Sequence, residues 1–271
     1  MKLHKIIQCL EGWAPPIYQE SYDNSGLIVG DINSDVNGCL ISLDCTERVV
    51  DEAINKNCNL IISHHPVIFR GITSIDSSHW VGRVLTKAIK NNISLYSIHT
   101  NLDNIKDGVN RKICDILKLK NHKILSPKYG FSKKLEIYIP EKNKDEFLDK
   151  LFLIGAGKIG NYRECSFQQD GIGTFTPAEG SNPKIGSVLK KQNVKEIKLE
   201  IYFDSDIEYK IINSIKSYHP YEEPSYFIHT TNLPSKEIGS GMIGERKITF
   251  NDLLDELKNN FKCNSIKHTK I

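Results

Sequence analysis

Residues 61–70 read IISHHPVIFR: an apolar run that ends on two adjacent histidines, with a proline directly behind them. The run NLIIS, 59–63, has the length and composition of a buried strand. Pro66 holds His65 in extended conformations, so the pair does not sit on a helix. The same rhythm extends outward on both sides. GCLISLD, 38–44, is a short apolar run closing on an acid. TERVVDEAINKN, 46–57, places Val49, Val50, Ala53 and Ile54 on one helical face, with Thr46 as a natural N-cap. WVGRVLTKAIKNN, 80–92, repeats the helical spacing, and ISLYSI, 93–98, is a third strand. A further helix follows, with Val109, Ile113, Ile116 and Leu117 on one face. Strands alternating with helices predict an α/β domain: βαβ units forming a largely parallel sheet with helices on both faces.

In open sheets of this kind, ligands bind beyond the carboxyl ends of the strands. The residues that follow each strand are therefore informative. Asp44 follows the first, His64 and His65 the second, and His99 and Asp103 the third. Successive strand residues point to opposite faces, so His64 and His65 are expected to diverge if the strand continues. Divergent imidazoles suit two neighbouring divalent ions, with Asp103 as the carboxylate between them. Zinc, manganese or iron fits mixed nitrogen and oxygen ligands. Two such ions ~3.5–4 Å apart can share and activate a water. His99 is a candidate catalytic acid or base, or a group that orients a ligand. The competing readings are plain ones. The histidine pair ends a strand at the surface, His99 bonds to nearby backbone, and Asp44 caps the helix beginning at Thr46, which is the preferred reading of that residue.

Near Pro127 the pattern changes. KLEIYIP, 134–140, alternates with Leu135, Ile137 and Ile139 on one side. A helix over 144–153, strands at GIGTFTP (171–177) and IKLEIYF (197–203), a helix over 206–218 and a strand at SYFIHTTNL (225–233) complete the order β-α-β-β-α-β. That order predicts an inserted ferredoxin-like α+β domain at 127–235, between a first part at 1–126 and a return at 236–271. GAGKIG, 155–160, satisfies G-x-G-x-x-G, but a helix precedes it where a dinucleotide site needs a strand. Helix termination by glycine is the better account. HPYEEPSY, 219–226, gathers His219, Glu222 and Glu223, and its two prolines favour a rigid connection over a binding cluster.

Composition narrows the function. Lys plus Arg number 36 and Asp plus Glu 33 in a 271-residue chain, leaving a net charge of +3 with no basic stripe and no nucleic-acid signal. The seven cysteines are widely spaced with no C-x-x-C, which argues against a disulfide framework and for a reducing cytoplasm. The apolar stretch at the N-terminus is too short for a signal peptide, and no run is long enough to span a bilayer.

SYDNSGLIVGD, LDCTERVVDEAI, IISHHPVIF, SIHTNLDNIKDGVN and GAGKIGNYRECSFQQDGIGTFTP, in that order, resemble the GTP cyclohydrolase 1 type 2 homologue family, also described as dinuclear-metal-centre hexameric proteins. HPYEEPSYFIHTTNL is similar to the family's inserted middle domain. The resemblance implies a metal-bearing α/β domain interrupted by a PII-like domain, and homohexameric rings with metal pairs facing an internal cavity. It implies that His64 and His65 are the first ligands and Asp103 the next. The family name implies hydrolysis of the GTP imidazole ring with formate release, and eukaryotic relatives are discussed as regulators. The family's remaining ligands, a His and a Glu, come from a segment after the inserted domain. This chain stops at Ile271, and His268 fits neither of the motifs that carry them. The expectation is a shortened form or an incomplete site, with a sheet edge left exposed. Three functions follow: a metal-dependent hydrolase of GTP or a related heterocycle, a non-catalytic metal-binding oligomer with a regulatory role, or a remnant with an impaired site.

Overall fold

The computed structural model describes residues 1–269. Along the chain run α1 (Leu3–Trp13), β1 (Gly26–Val29), β2 (Cys39–Ser42), α2 (Glu47–Asn55), β3 (Leu60–Ser63), α3 (Trp80–Lys90), β4 (Ser94–Ser97), α4 (Thr100–Asn104), α5 (Val109–Ile116) and β5 (Lys120–Pro127). Then come β6 (Ser132–Pro140), α6 (Lys144–Leu153), β7 (Phe167–Phe175), β8 (Gln192–Asp204), α7 (Glu208–Tyr218) and β9 (Tyr226–Thr230). The last elements are β10 (Gly239–Glu245) and α8 (Phe250–Phe261). The chain divides into two compact units: Met1–Pro127 with Glu237–Ile271, and Lys128–Lys236.

The first unit holds a four-stranded sheet in the order β1-β4-β3-β2. β2, β3 and β4 run parallel, and β1 joins β4 antiparallel. Every residue of β3 and β4 is buried, which explains why neither carries a charged residue on either face. On one face Ile61 and Leu95 pack against Val50 and Ala53 of α2 and Val84, Leu85 and Ala88 of α3. On the other, buried Tyr96 sends its hydroxyl to Glu11 of α1, 3.5 Å away. Removing each Val, Leu or Ile side chain of this core from water stabilises the unit by about 1.5–3 kcal/mol. Thr46 caps α2 by accepting from the Val49 amide. β2 is an edge strand, and Ile41 on it is 79% exposed. A second, two-stranded sheet pairs β5 with β10 antiparallel.

The second unit has the sheet order β7-β8-β6-β9, with antiparallel pairing throughout. Order and connections are those of a ferredoxin-like βαββαβ unit, as the sequence predicts. Strand alternation does the sorting. Leu135, Ile137, Ile139, Leu199, Ile201 and Phe203 turn to α6 and α7, where Phe147, Leu151, Ile211 and Ile215 meet them. Lys134, Glu136, Lys198 and Glu200 turn to the opposite face and form ion pairs there. GAGKIG is the turn out of α6. Gly157 has φ +74°, and a Cβ on it would come 2.8 Å from the Phe152 ring.

His219 is a structural pin in this unit rather than a ligand. It is buried, its Nε2 donates to the Tyr138 carbonyl at 2.9 Å, and its Nδ1 accepts from the Tyr221 amide at 3.1 Å. A second ring proton would point Nδ1–H at an N–H donor. Burial pushes the pKa below the ordinary 6.5, against a smaller opposite pull from the Tyr138 carbonyl. Just below that value the unfolded chain therefore binds more protons than the folded one. Stability from this residue is complete above about pH 6.5 and falls away as pH drops through the folded value. Thermal melts of wild type and His219→Gln over about pH 7 to 5 check this. The variant should be less stable near neutrality and lose less on acidification; parallel profiles would refute the assignment.

Candidate metal centre

β3 ends at Ser63, and the chain bends at once. The amides of His64 and His65 both bond back to the end of β2 and its extension, donating to Ser42 O at 3.2 Å and Leu43 O at 2.9 Å. Consecutive amides pointing the same way break the strand's alternation. The two imidazoles consequently do not diverge as continued pleating predicts. Their ring centroids are 5.1 Å apart, and the His99 ring lies 5.1 and 5.4 Å from them. One ring nitrogen from each of His64, His65 and His99 falls within 4.8 Å of the others. The cluster can hold a metal ion.

The remaining nitrogens explain how it would do so. His64 Nδ1 meets the Ile98 carbonyl at 2.9 Å, His65 Nδ1 meets Asp44 Oδ1 at 2.7 Å, and His99 Nδ1 meets Asp23 Oδ1 at 2.7 Å. A carbonyl or carboxylate oxygen here only accepts, so each Nδ1 carries the proton. In the neutral ring the lone pair is then on Nε2. This is the acceptor-backed arrangement that metal-binding histidines adopt, fixing the tautomer and raising the basicity of the donor nitrogen. The donor set fits a divalent cation of borderline softness. Asp103 stands beside the cluster, with its Oδ2 3.7 Å from His64 Nε2.

Asp44 does not cap α2. Thr46 takes the cap, which frees the Asp44 carboxylate for His65. Asp23, in the loop before β1, carries a role that strand-end reasoning does not reach. Its side chain is fully enclosed. It accepts from His99 Nδ1, from the Thr100 amide at 3.0 Å, from the Thr100 hydroxyl and from the Asn24 amide at 2.7 Å. Burial alone would raise its pKa; the bonds from His99, Thr100 and Asn24 outweigh that and hold it below the usual carboxylate range. Its sequence signal is the polar Asp-Asn-Ser-Gly loop closing on a strand.

α4 is only one turn long, and its asparagines anchor it. Asn101 is fully buried, accepts from the His99 amide at 2.9 Å and donates to Ala14 O at 2.7 Å. Asn104, also buried, donates to Tyr18 O and to Glu20 Oε1, both at 2.9 Å. The turn thereby holds His99 at its start and Asp103 within it, both facing the cluster. Ser63 donates to the His65 carbonyl at 2.8 Å and steadies the bend from below. The Phe69 ring lies 6.1 Å from His99 and forms an apolar flank.

A model of the Duf34/NIF3 (NGG1p interacting factor 3) family matches residues 1–270. The chain belongs to that family. Among curated relatives, a GTP cyclohydrolase 1 type 2 homolog of Halalkalibacterium halodurans is 37% identical over 259 residues, covering 94% of this chain and 70% of its own length. The homolog of the same name from Bacillus subtilis is 38% identical over 244 residues, covering 90% of this chain and 65% of its own. Among solved structures, the Bacillus cereus protein related to NIF3 superposes with a TM-score of 0.82 at 34% identity, over 97% of this chain and 71% of that one. A Staphylococcus aureus protein gives a TM-score of 0.69 at 33% identity. This Duf34/NIF3 chain thus shares its fold with relatives longer than itself. Among the described residues, no helix is long and apolar enough to cross a membrane.

Proposed function

We propose that this protein is a divalent-metal-dependent hydrolase that opens the imidazole ring of GTP or a related heterocycle. The observation behind this reading is the trio of imidazoles whose Nδ1 protons are all taken by fixed acceptors, leaving the Nε2 lone pairs convergent. His64, His65 and Asp103 are assigned as ligands of a pair of ions, with zinc, manganese or iron as the candidates. Bound divalent ions supply a coordinated water whose pKa falls to about 7. The chain's own residues do the rest. Asp23 keeps the His99 proton on Nδ1, so Nε2 is the atom that takes a proton from the attacking water and returns it to the departing ring nitrogen. A first water adds to the carbon between the two imidazole nitrogens and breaks one C–N bond, opening the ring to a formamide. A second water cleaves the remaining C–N bond, so that carbon leaves as formate and both nitrogens become amines. The family resemblance also supports self-association as a homohexamer, which light scattering measures directly.

Formate release from GTP by metal-loaded protein tests the reading. Turnover should depend on added metal and fall about 100-fold or more in His99→Gln, while metal content by elemental analysis stays near the wild-type value. Loss of metal from His99→Gln would make His99 a ligand instead. Metal retention without formate release in the wild type would favour a non-catalytic, regulatory role.

A further inference from the structure

The second unit contains a cavity of about 350 Å³ on the sheet face that α6 and α7 leave uncovered. That volume falls in the range of small-molecule sites, roughly 300–1,000 Å³. Its wall includes Glu196, which is only 8% exposed. Other acids on this face are neutralised. Lys198 Nζ lies 3.2 Å from Glu136 Oε2 and 2.7 Å from Glu200 Oε1, and Lys134 Nζ lies 2.9 Å from Glu200 Oε2. Glu196 is the more deeply buried acid, yet among the described residues no cation pairs with it. Its Oε1 accepts from the Tyr221 hydroxyl at 2.5 Å. Burial, and then the adjoining Glu196, push the Tyr221 phenol up, so it remains the donor in this pair.

A buried carboxylate without a counter-ion is costly, and the cost is relieved when a cation reaches it. The surroundings select for one. Glu222 and Glu223 also line the cavity, against a single Lys184. The rings of Phe175 and Tyr221 meet at 65° with centroids 5.4 Å apart and form an aromatic corner in the same wall. Aromatic faces attract cations, and three carboxylates repel anions. Gly173 makes room for the carboxylate: a Cβ there would fall 2.1 Å from Glu196 Oε2.

We propose that this cavity binds a small organic cation, an ammonium or amidinium group carrying an apolar portion, with Glu196 as its counter-ion. The histidine cluster is in the other unit, so the two readings succeed or fail separately.

Calorimetric titration of the full chain with benzylamine tests the proposal, with benzyl alcohol and benzoate as neutral and anionic counterparts. Benzylamine should bind saturably with Kd on the order of 1 mM or tighter, with benzyl alcohol about tenfold weaker and benzoate silent. Glu196→Gln should weaken benzylamine about tenfold or more. Gly173→Ala keeps every charge but displaces the carboxylate, and should weaken benzylamine as well; it carries the test if Glu196→Gln fails to fold. Equal binding of benzyl alcohol or benzoate overturns the proposal. So do unchanged affinity in a folded variant and the absence of saturable heat with both benzylamine and putrescine.

Discussion

Alanine at His65 should empty the purified protein of most of its divalent metal and leave the polypeptide folded. The side chain is 47% exposed, and its recorded partner is Asp44 Oδ1 at 2.7 Å. Removing it opens no cavity in the core and strands no buried donor, so metal-free stability should change by no more than about 0.5 kcal/mol. Metal affinity is another matter. Outer partners of metal ligands are each worth about 10–100-fold in affinity, and a ligand is worth at least as much as its partner. A drop on the order of 100-fold or more is therefore expected. It has a second signature. Metal at about 100 times Kd raises wild-type stability by about 2.7 kcal/mol, and the same concentration should hardly move the variant's melting temperature. Elemental analysis paired with thermal melts, with and without chelator, reads both effects. A variant that retains the wild-type metal content would remove His65 from the centre.

Asp23→Ala should be the most damaging substitution near the site, and it should harm the fold and the catalytic histidine together. The carboxylate is fully enclosed and accepts from His99, Thr100 and Asn24. Deleting it leaves those donors facing an empty space, and each unmet buried donor costs about 1–3 kcal/mol. The expected loss of stability is about 3–5 kcal/mol, in line with breaking a buried charged network. Because His99 Nδ1 loses its acceptor, formate release by the folded fraction should also fall, by up to about 100-fold. Asp23→Asn separates the two effects: it keeps the volume and one acceptor oxygen, so it should fold better while still loosening His99. Denaturant unfolding of chelator-treated protein isolates the structural part. A fully stable, fully active Asp23→Ala protein would show that the enclosure is incidental.

The strand-end convergence was legible because it depends on order alone. Parallel strands put their carboxyl ends on one edge, so His64, His65, His99 and Asp103 had to be neighbours once the βαβ rhythm was recognised. The internal geometry was not legible. Whether His64 and His65 splay or converge turns on the bend after Ser63, where two consecutive amides bond to the β2 side, and no periodicity records such a bend. Asp44 offered two sound uses two residues before a helix, and only the neighbouring Thr46 cap decides between them. Asp23 lies 76 residues from the histidine it serves, beyond the reach of any local pattern. The second unit was easier to read, because Leu135, Ile137 and Ile139 alternate cleanly above a helical face. Its cavity depends on one unpaired acid among paired ones, a property of positions in space that the letters do not carry.

In the β5–β10 sheet, Gly239 sits opposite Pro127 and Ser240 opposite Ser126. The polypeptide therefore departs from the first unit and comes home at a single doorway. For the first unit, everything between those thresholds is one excursion, whose entropic burden grows only with the logarithm of its length, about 0.6 kcal/mol per doubling. Register in the host sheet is set by residues on either side of the doorway and is indifferent to how long the excursion is. A fold built this way can accept, enlarge or exchange its guest domain while the histidine-bearing edge stays where it is.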